Sequence, residues 1–151
     1  ARPRGKLGRE RLPTLLRAHH EVVVEAWLRA VEGDPQLALI KLDRSGRLDH
    51  VDEMVLALSF RMEMPQLLGP ESSEQAAQTA ASRRHGKVRR AQGYQPIGML
   101  REATFLREVI GGLIAEKFHL IDLSYFLRDI LNLNQGLDAE IIESLSAWGL
   151  E

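Results

Sequence analysis

The stretch His85–Ile110, HGKVRRAQGYQPIGMLREATFLREVI, decides how this chain is read. Gly93 supplies the left-handed residue that commonly closes a helix, and Pro96 carries the fixed φ that suits a first helical turn. One helix is therefore expected to stop near Gln92 and another to start near Gln95. If the two fold back antiparallel, residues equidistant from the turn face each other. Arg89 then comes level with Glu102 and His85 with Phe105. His85, Arg89, Gln92, Tyr94 and Glu102 would gather as a polar group in one hairpin, with Arg107 further along the second helix.

Working outward, the periodicity predicts helices on both sides. Leu12, Leu15, Leu16, His19, Val22, Val23, Ala26, Trp27 and Ala30 recur at the spacing of one helical face, and Gly33-Asp34-Pro35 ends the pattern. Gln36–Leu42 reads as a turn or two of helix that stops at Arg44-Ser45-Gly46. A helix is expected from about Leu48 to Met64, because Leu48, Val51, Val55, Leu58 and Met62 form one stripe and Pro65 follows. Residues 66–71 read as a loop, with Ser72 or Ser73 as the next N-cap. The helix reaching Gln92 is given an inner stripe of Ala77, Ala81, His85 and Val88, flanked by Ala76 and Ala80. The helix after Gln95 is expected to bury Ile97, Leu100, Leu106, Ile110, Leu113 and Ile114, with Gly111-Gly112 as a soft spot. Leu123, Phe126, Leu127, Ile130, Leu133, Leu137, Ile141, Leu145 and Trp148 describe a last helix. No alternating strand with a hairpin turn is visible, so the fold class is all-α: a single bundle of five or six helices over residues 12–151.

Composition narrows the function classes. At 151 residues the chain is one domain's worth, and its formal net charge of -1 removes the general electrostatic argument for nucleic acid as a partner. With no cysteine there is no disulfide framework, thiolate nucleophile or thiolate metal ligand, which fits a cytoplasmic setting. No apolar run approaches the roughly 18–20 residues of a membrane span, so a soluble domain is expected. Residues 1–11, ARPRGKLGRER, read as a flexible basic lead-in. The start without Met and the stop on a predicted helix suggest a piece of a longer protein.

The chemistry-bearing residues have bland readings beside the sharp ones. His19 and His85 fall on faces that otherwise look buried, yet no His-x-x-x-His or Glu-x-x-His pair sets two ligands on one helical face, and adjacent His19 and His20 point about 100° apart. No metal or cofactor is therefore expected, and both histidines read first as satisfied core or hairpin residues. His50 and His119 are expected at the surface near helix starts. There is no phosphate-binding loop, nucleophile elbow or metalloprotease helix, so the chain does not read as an enzyme. Glu21, Glu25 and Glu32, and likewise Asp138, Glu140 and Glu143, read as wet faces. For Arg89, Gln92, Tyr94 and Glu102 two readings stand side by side. In one, Arg89 pairs with Glu102 and the group fixes how two helices join. In the other, the group and His85 line a pocket for an anion or small metabolite.

Taken together, His85, Gly86, Arg89, Gln92, Gly93 and Tyr94, then Leu100, Glu102, Leu106 and Arg107, form the pattern HGxxRxxQGY followed by LxE and LR. This resembles the N-terminal domain shared by RsbT co-antagonist proteins of the RsbRD type and by a group of bacterial sensor histidine kinases. Weaker agreement extends to LLRAHHEVVVEAW, LDHVDEMVLALSF and LNQGLDAEIIESLS; Ala103 departs from it, standing where the resemblance expects an aromatic residue. The resemblance implies a non-catalytic sensory or signal-transmitting domain ahead of a C-terminal output domain, a homodimer, and a haem-free fold for which a globin-like arrangement is open. A haem-binding globin-like sensor and a pure oligomerisation module are the alternative readings. Trp148 is the candidate interface residue.

Overall fold

In a computed structural model of the chain, residues 8–63 and 73–149 are described. The all-α expectation holds: among these residues there are helices, two short 3₁₀ turns and a lone parallel bridge between Glu10 and Ile121. The predicted loop at 66–71, its flanking Pro65 and Ser72, and the first seven residues of the lead-in lie outside them.

Helix α1 (Leu12–Ala18) opens with Pro13 in its first turn, and α2 (His20–Glu32) follows after a break at His19. The sequence reading made these one helix. The break lets the two halves serve different neighbours: α1 packs on α4 (Val51–Glu63), and α2 packs on α6 (Pro96–Lys117). Leu12, Leu16, Val23, Trp27 and Val31 are buried along them, each worth about 1.5–3 kcal/mol by transfer from water for a side chain of Leu or Val size. The indole N–H of Trp27 donates to the backbone carbonyl of Glu102 at 3.0 Å, which fixes α2 against α6.

The helix expected from Leu48 begins at Val51, and the Arg44-Ser45-Gly46 segment expected to be a stop is itself helical. Asp43 caps α3 (Arg44–Leu48) by accepting the Gly46 N–H at 2.7 Å. Asp49 then takes φ 47°, the single positive φ of a non-glycine residue among those described, and α4 starts at Val51. Helix α5 (Ser73–Ala91) ends in a Schellman closure: Gly93 N–H donates to Arg90 O at 3.1 Å and Tyr94 N–H to Arg89 O at 2.9 Å, with Gly93 at φ 96° as expected.

From that turn the helices diverge. Helix α5 lies along α7 (Phe126–Trp148), whereas α6 lies along α2 and crosses α7, so the antiparallel hairpin of the sequence reading does not form. Helix α7 touches α4, α5 and α6 and is the centre of the bundle. Its contact with α5 depends on Gly86, where a Cβ would stand 2.0 Å from the Ser144 carbonyl oxygen.

Three buried faces differ from expectation for one reason. On α5 the inner face is Ser82, His85, Gly86 and Arg89, at i, i+3, i+4 and i+7, while Ala76, Ala77 and Ala80 are exposed. On α6 it is Met99, Glu102, Leu106, Ile110 and Leu113, leaving Ile97 and Leu100 outside. On α7 Asp129 and Ser144 are buried and Leu127 is not. In each case polar side chains that find partners turn inward, and small or aliphatic ones give way.

The lead-in is also anchored at its end. Glu10 exchanges backbone hydrogen bonds with Leu120 and Asp122, both 2.7 Å, and Arg11 donates to the buried Asp129 at 2.6 Å and to Met62 O at 3.2 Å. A flexible segment through residue 11 is therefore corrected: the ion pair and bridge hold its last two residues against the bundle. No described helix is long and apolar enough to cross a membrane.

Candidate functional site

Two buried polar clusters meet where α3, α4, α5 and α6 converge. The first is built on Arg89, whose side chain is fully buried. Its Nε donates to Glu102 Oε2 at 3.2 Å, Nη1 to Gly46 O and Gln92 Oε1 at 2.8 Å each, and Nη2 to Arg47 O. The Tyr94 ring packs under the guanidinium at 4.6 Å. Gln92 also donates from Nε2 to Gly46 O at 3.1 Å. Arg89 and Gln92 thus satisfy the carbonyls of a five-residue helix too short to hold itself.

Arg47 completes this cluster. It is buried, donating to the Tyr94 hydroxyl at 2.6 Å and to Ile40 O at 2.6 Å. Burial, then the nearby Glu102 carboxylate, pushes the Tyr94 phenol up to about 12. The expected Arg89–Glu102 contact is present, and Gln92 and Tyr94 join it, but their other partners, Gly46 and Arg47, belong to α3 and not to the turn that Gly93 closes. All three guanidinium nitrogens of Arg89 have partners, so the arginine has none free for an anion. Arg107 stands apart: five residues beyond Glu102, it points about 140° away around α6 and pairs with Asp138 at 2.7 Å and with Asn134. His19 sits half-buried at the α1–α2 break and makes no contact described here with either cluster.

The second cluster surrounds Asp49. His85 Nδ1 lies 2.7 Å and His50 Nδ1 3.3 Å from the same oxygen, Asp49 Oδ2. The two rings meet edge to face with centroids 4.4 Å apart. On its far side His50 Nε2 reaches Glu140 Oε1 at 3.0 Å. Glu140 accepts a further bond from Ser82 Oγ, and the single proton of Ser144 Oγ is shared between Glu140 Oε1 at 3.2 Å and Ser82 O at 3.0 Å. His85 therefore faces Asp49, not Phe105, because α5 turns toward α7.

The charges of this group reinforce each other. Burial opposes ionisation of Asp49, but hydrogen bonds from His50 and His85 outweigh it and hold the carboxyl below the usual range. Burial likewise disfavours the His50 cation, yet Asp49 and Glu140 raise it to about 9. Glu140 is lowered despite its burial, chiefly by its bond to His50.

Cavities adjoin the cluster. One of about 210 Å³ lies between α4, α5 and α7, walled by Met54, Leu58, Ala81 and Gly136 and reached by His50 and Glu140. Another of about 40 Å³ is lined by Trp27, Met99, Ala103, Leu106, His85 and Glu102. There Glu102 Oε1 is buried with no hydrogen-bond donor among the described residues. Ala103, where the resemblance expects an aromatic ring, borders that smaller cavity.

Sequence reasoning missed Arg47, Asp49, His50 and Glu140. His50 was expected at the surface and Glu140 on a wet face, yet their side chains are only 15% and 13% exposed. Arg47 and Asp49 stand in a short helix and its cap, where no periodicity signals burial. Glu140 carried one sign, being four residues before Ser144 on the same face, but its partners His50 and Ser82 come from the α3–α4 junction and from α5. Trp148, read as an interface residue, is spent within the chain: its Nε1–H donates to Tyr94 O at 2.9 Å and Arg90 stacks on its ring at 4.9 Å. No family model, curated protein or solved structure matches the chain.

Proposed function

We propose that this chain is a non-catalytic, signal-receiving helical domain, cytoplasmic and dimeric, placed ahead of a C-terminal output domain in a bacterial sensor histidine kinase or stressosome-type regulator. The observation that supports this reading most is the attachment of α7. Its middle is bonded through Glu140 and Ser144 to the His50–Asp49–His85 cluster. Its end is bonded through Trp148 to the Gly93 turn. A change at either cluster has a direct mechanical route into the last helix, and the cavity of about 210 Å³ against that helix leaves room for such a change.

The resemblance supplies the signalling context. The haem-carrier alternative draws no support from the cavity beside His85, about 40 Å³ against the ~300 Å³ lower end of small-molecule pockets. Joining the chain through α7 to a histidine-kinase catalytic core tests the relay. Trp148→Ala or Glu140→Gln should change autophosphorylation at least severalfold without loss of helical content; identical rates in wild type and every folded variant would sink the reading. Reconstitution with haemin should give no stoichiometric complex with a sharp Soret band.

A further inference from the structure

We propose that Asp49, His50 and His85 form a binding site for one divalent transition-metal ion, zinc foremost, with Glu140 as the carboxylate that orients His50. The site is argued from its own geometry and stands or falls apart from the relay.

One ligand atom from each of the three residues lies within 4.8 Å of the others. A tetrahedral ion with ligand lengths of about 2.0–2.2 Å needs its ligand atoms about 3.3 Å apart. Of the separations from Asp49 Oδ2 to the two Nδ1 atoms, the 3.3 Å to His50 matches that figure and the 2.7 Å to His85 falls short of it, so His85 has to draw back by about half an ångström to admit an ion. Small side-chain rotations suffice to open the trio around an ion. Two imidazoles and one carboxylate are a borderline-hard donor set that suits zinc and its first-row neighbours, and the one-quarter exposure of the Asp49 side chain leaves a face for entry and a fourth, water ligand.

Two further observations point the same way. His50 turns its other nitrogen, Nε2, to Glu140, which Ser82 and Ser144 hold in turn. That is the outer arrangement of metal-bound histidines: a carboxylate accepts the N–H of one ring nitrogen, and the other binds the metal by giving up the proton it now donates to Asp49. Asp49, meanwhile, holds the single positive φ of a non-glycine residue among those described. Backbone strain of about 1–3 kcal/mol persists where surrounding structure demands it, and it gathers at ligand sites. Here it aims one carboxylate at two imidazoles, that of its chain neighbour His50 and that of His85 on α5. Asp49 and His50 belong to the α3–α4 junction and His85 to α5, so spacing along the chain gives no sign of the set.

The test uses purified, chelator-treated protein titrated with zinc chloride and, separately, cobalt chloride. Calorimetry should show one saturable equivalent, and cobalt should develop the visible d–d bands of a low-symmetry nitrogen–oxygen site. Histidine side-chain NMR on the unmutated protein should show zinc moving the ring signals of His50 and His85 and not those of His19, His20 or His119. His85→Ala and Asp49→Asn should abolish the equivalent. Glu140→Gln should weaken it about 10–100-fold, and His119→Ala should leave it intact. No saturable binding, binding that leaves the His50 and His85 signals in place, or an equivalent that survives His85→Ala would each overturn the site. The NMR readout needs no variant to fold.

Discussion

At the scale of single residues, Arg89 is the most consequential. With its side chain fully buried and that of Glu102 5% exposed, the pair is desolvated, so removing one partner strands the other. Glu102→Gln should destabilise the fold by about 3 kcal/mol, well above the 0–1 kcal/mol of an exposed pair. Arg89→Met should cost more, since the carbonyls of Gly46 and Arg47 also lose their donor. The double variant should cost less than the sum of the singles, because the second change removes an already stranded charge. Urea unfolding of the three proteins decides this; strictly additive, small effects would mean that the pair is not coupled.

At the scale of elements, helix ends and helix interiors make separate demands. Gly111 and Gly112 lie on the exposed side of α6, and a Cβ at either would meet nothing within 4 Å. Replacing each by alanine should stabilise by up to about 1 kcal/mol, through the lower entropy of the unfolded chain and better helix propensity. A rise in thermal midpoint for both variants checks it; a fall would show that the glycines serve flexibility the static packing does not reveal. Asp34 works at an end. Its carboxylate accepts the N–H groups of Gln36 and Leu37 at 3.0 Å each and pairs with Arg101 of α6 at 2.6 Å. The Leu37 bond leads in lowering its ionisation below the ordinary value, against the opposing effect of burial, with Arg101 assisting. A group depressed in the folded state stabilises above its unfolded value, about 3.9, and loses that contribution as pH falls through its folded value. Asp34→Asn should accordingly be less stable at neutral pH and lose less on acidification below pH about 4, read as unfolding midpoints across the range.

At the scale of the whole molecule, one exposed apolar stripe among the described residues is the α7 face carrying Leu127, Leu131 and Ile142. They fall within about 60° of one another around the helix and are 77%, 62% and 62% exposed. Helix α7 also reaches α4, α5 and α6, so a second copy docked on this face would touch the element that ties the bundle together. The proposed homodimer should therefore use this stripe, with Trp148 left inside its own chain. Light scattering should give a dimer that Leu127→Glu converts to monomer without loss of helical content. A wild-type monomer at all concentrations, or a dimer indifferent to Leu127→Glu, would remove the claim.

The sequence alone determined the helical class, the stop at Gly93 and the start at Pro96, each through a local cause: apolar periodicity, a glycine's allowed φ and a proline's ring. Arg89 meets Glu102 with α5 and α6 diverging and not across an antiparallel hairpin, so packing decided that contact. Only the tertiary structure decided which face of each helix is buried. Periodicity assigns the apolar stripe inward, and a polar residue reverses that assignment only when its partner arrives from a distant segment. Ser82 turned inward because Glu140 waited there and Asp129 because Arg11 did, His85 kept its expected inner place by meeting Asp49, and Ile97 and Leu127 were left outside. Asp49 and His50 became a site by the same means: α5 diverged from α6 to lie on α7, and that choice, made by packing at Gly86, carried His85 to them.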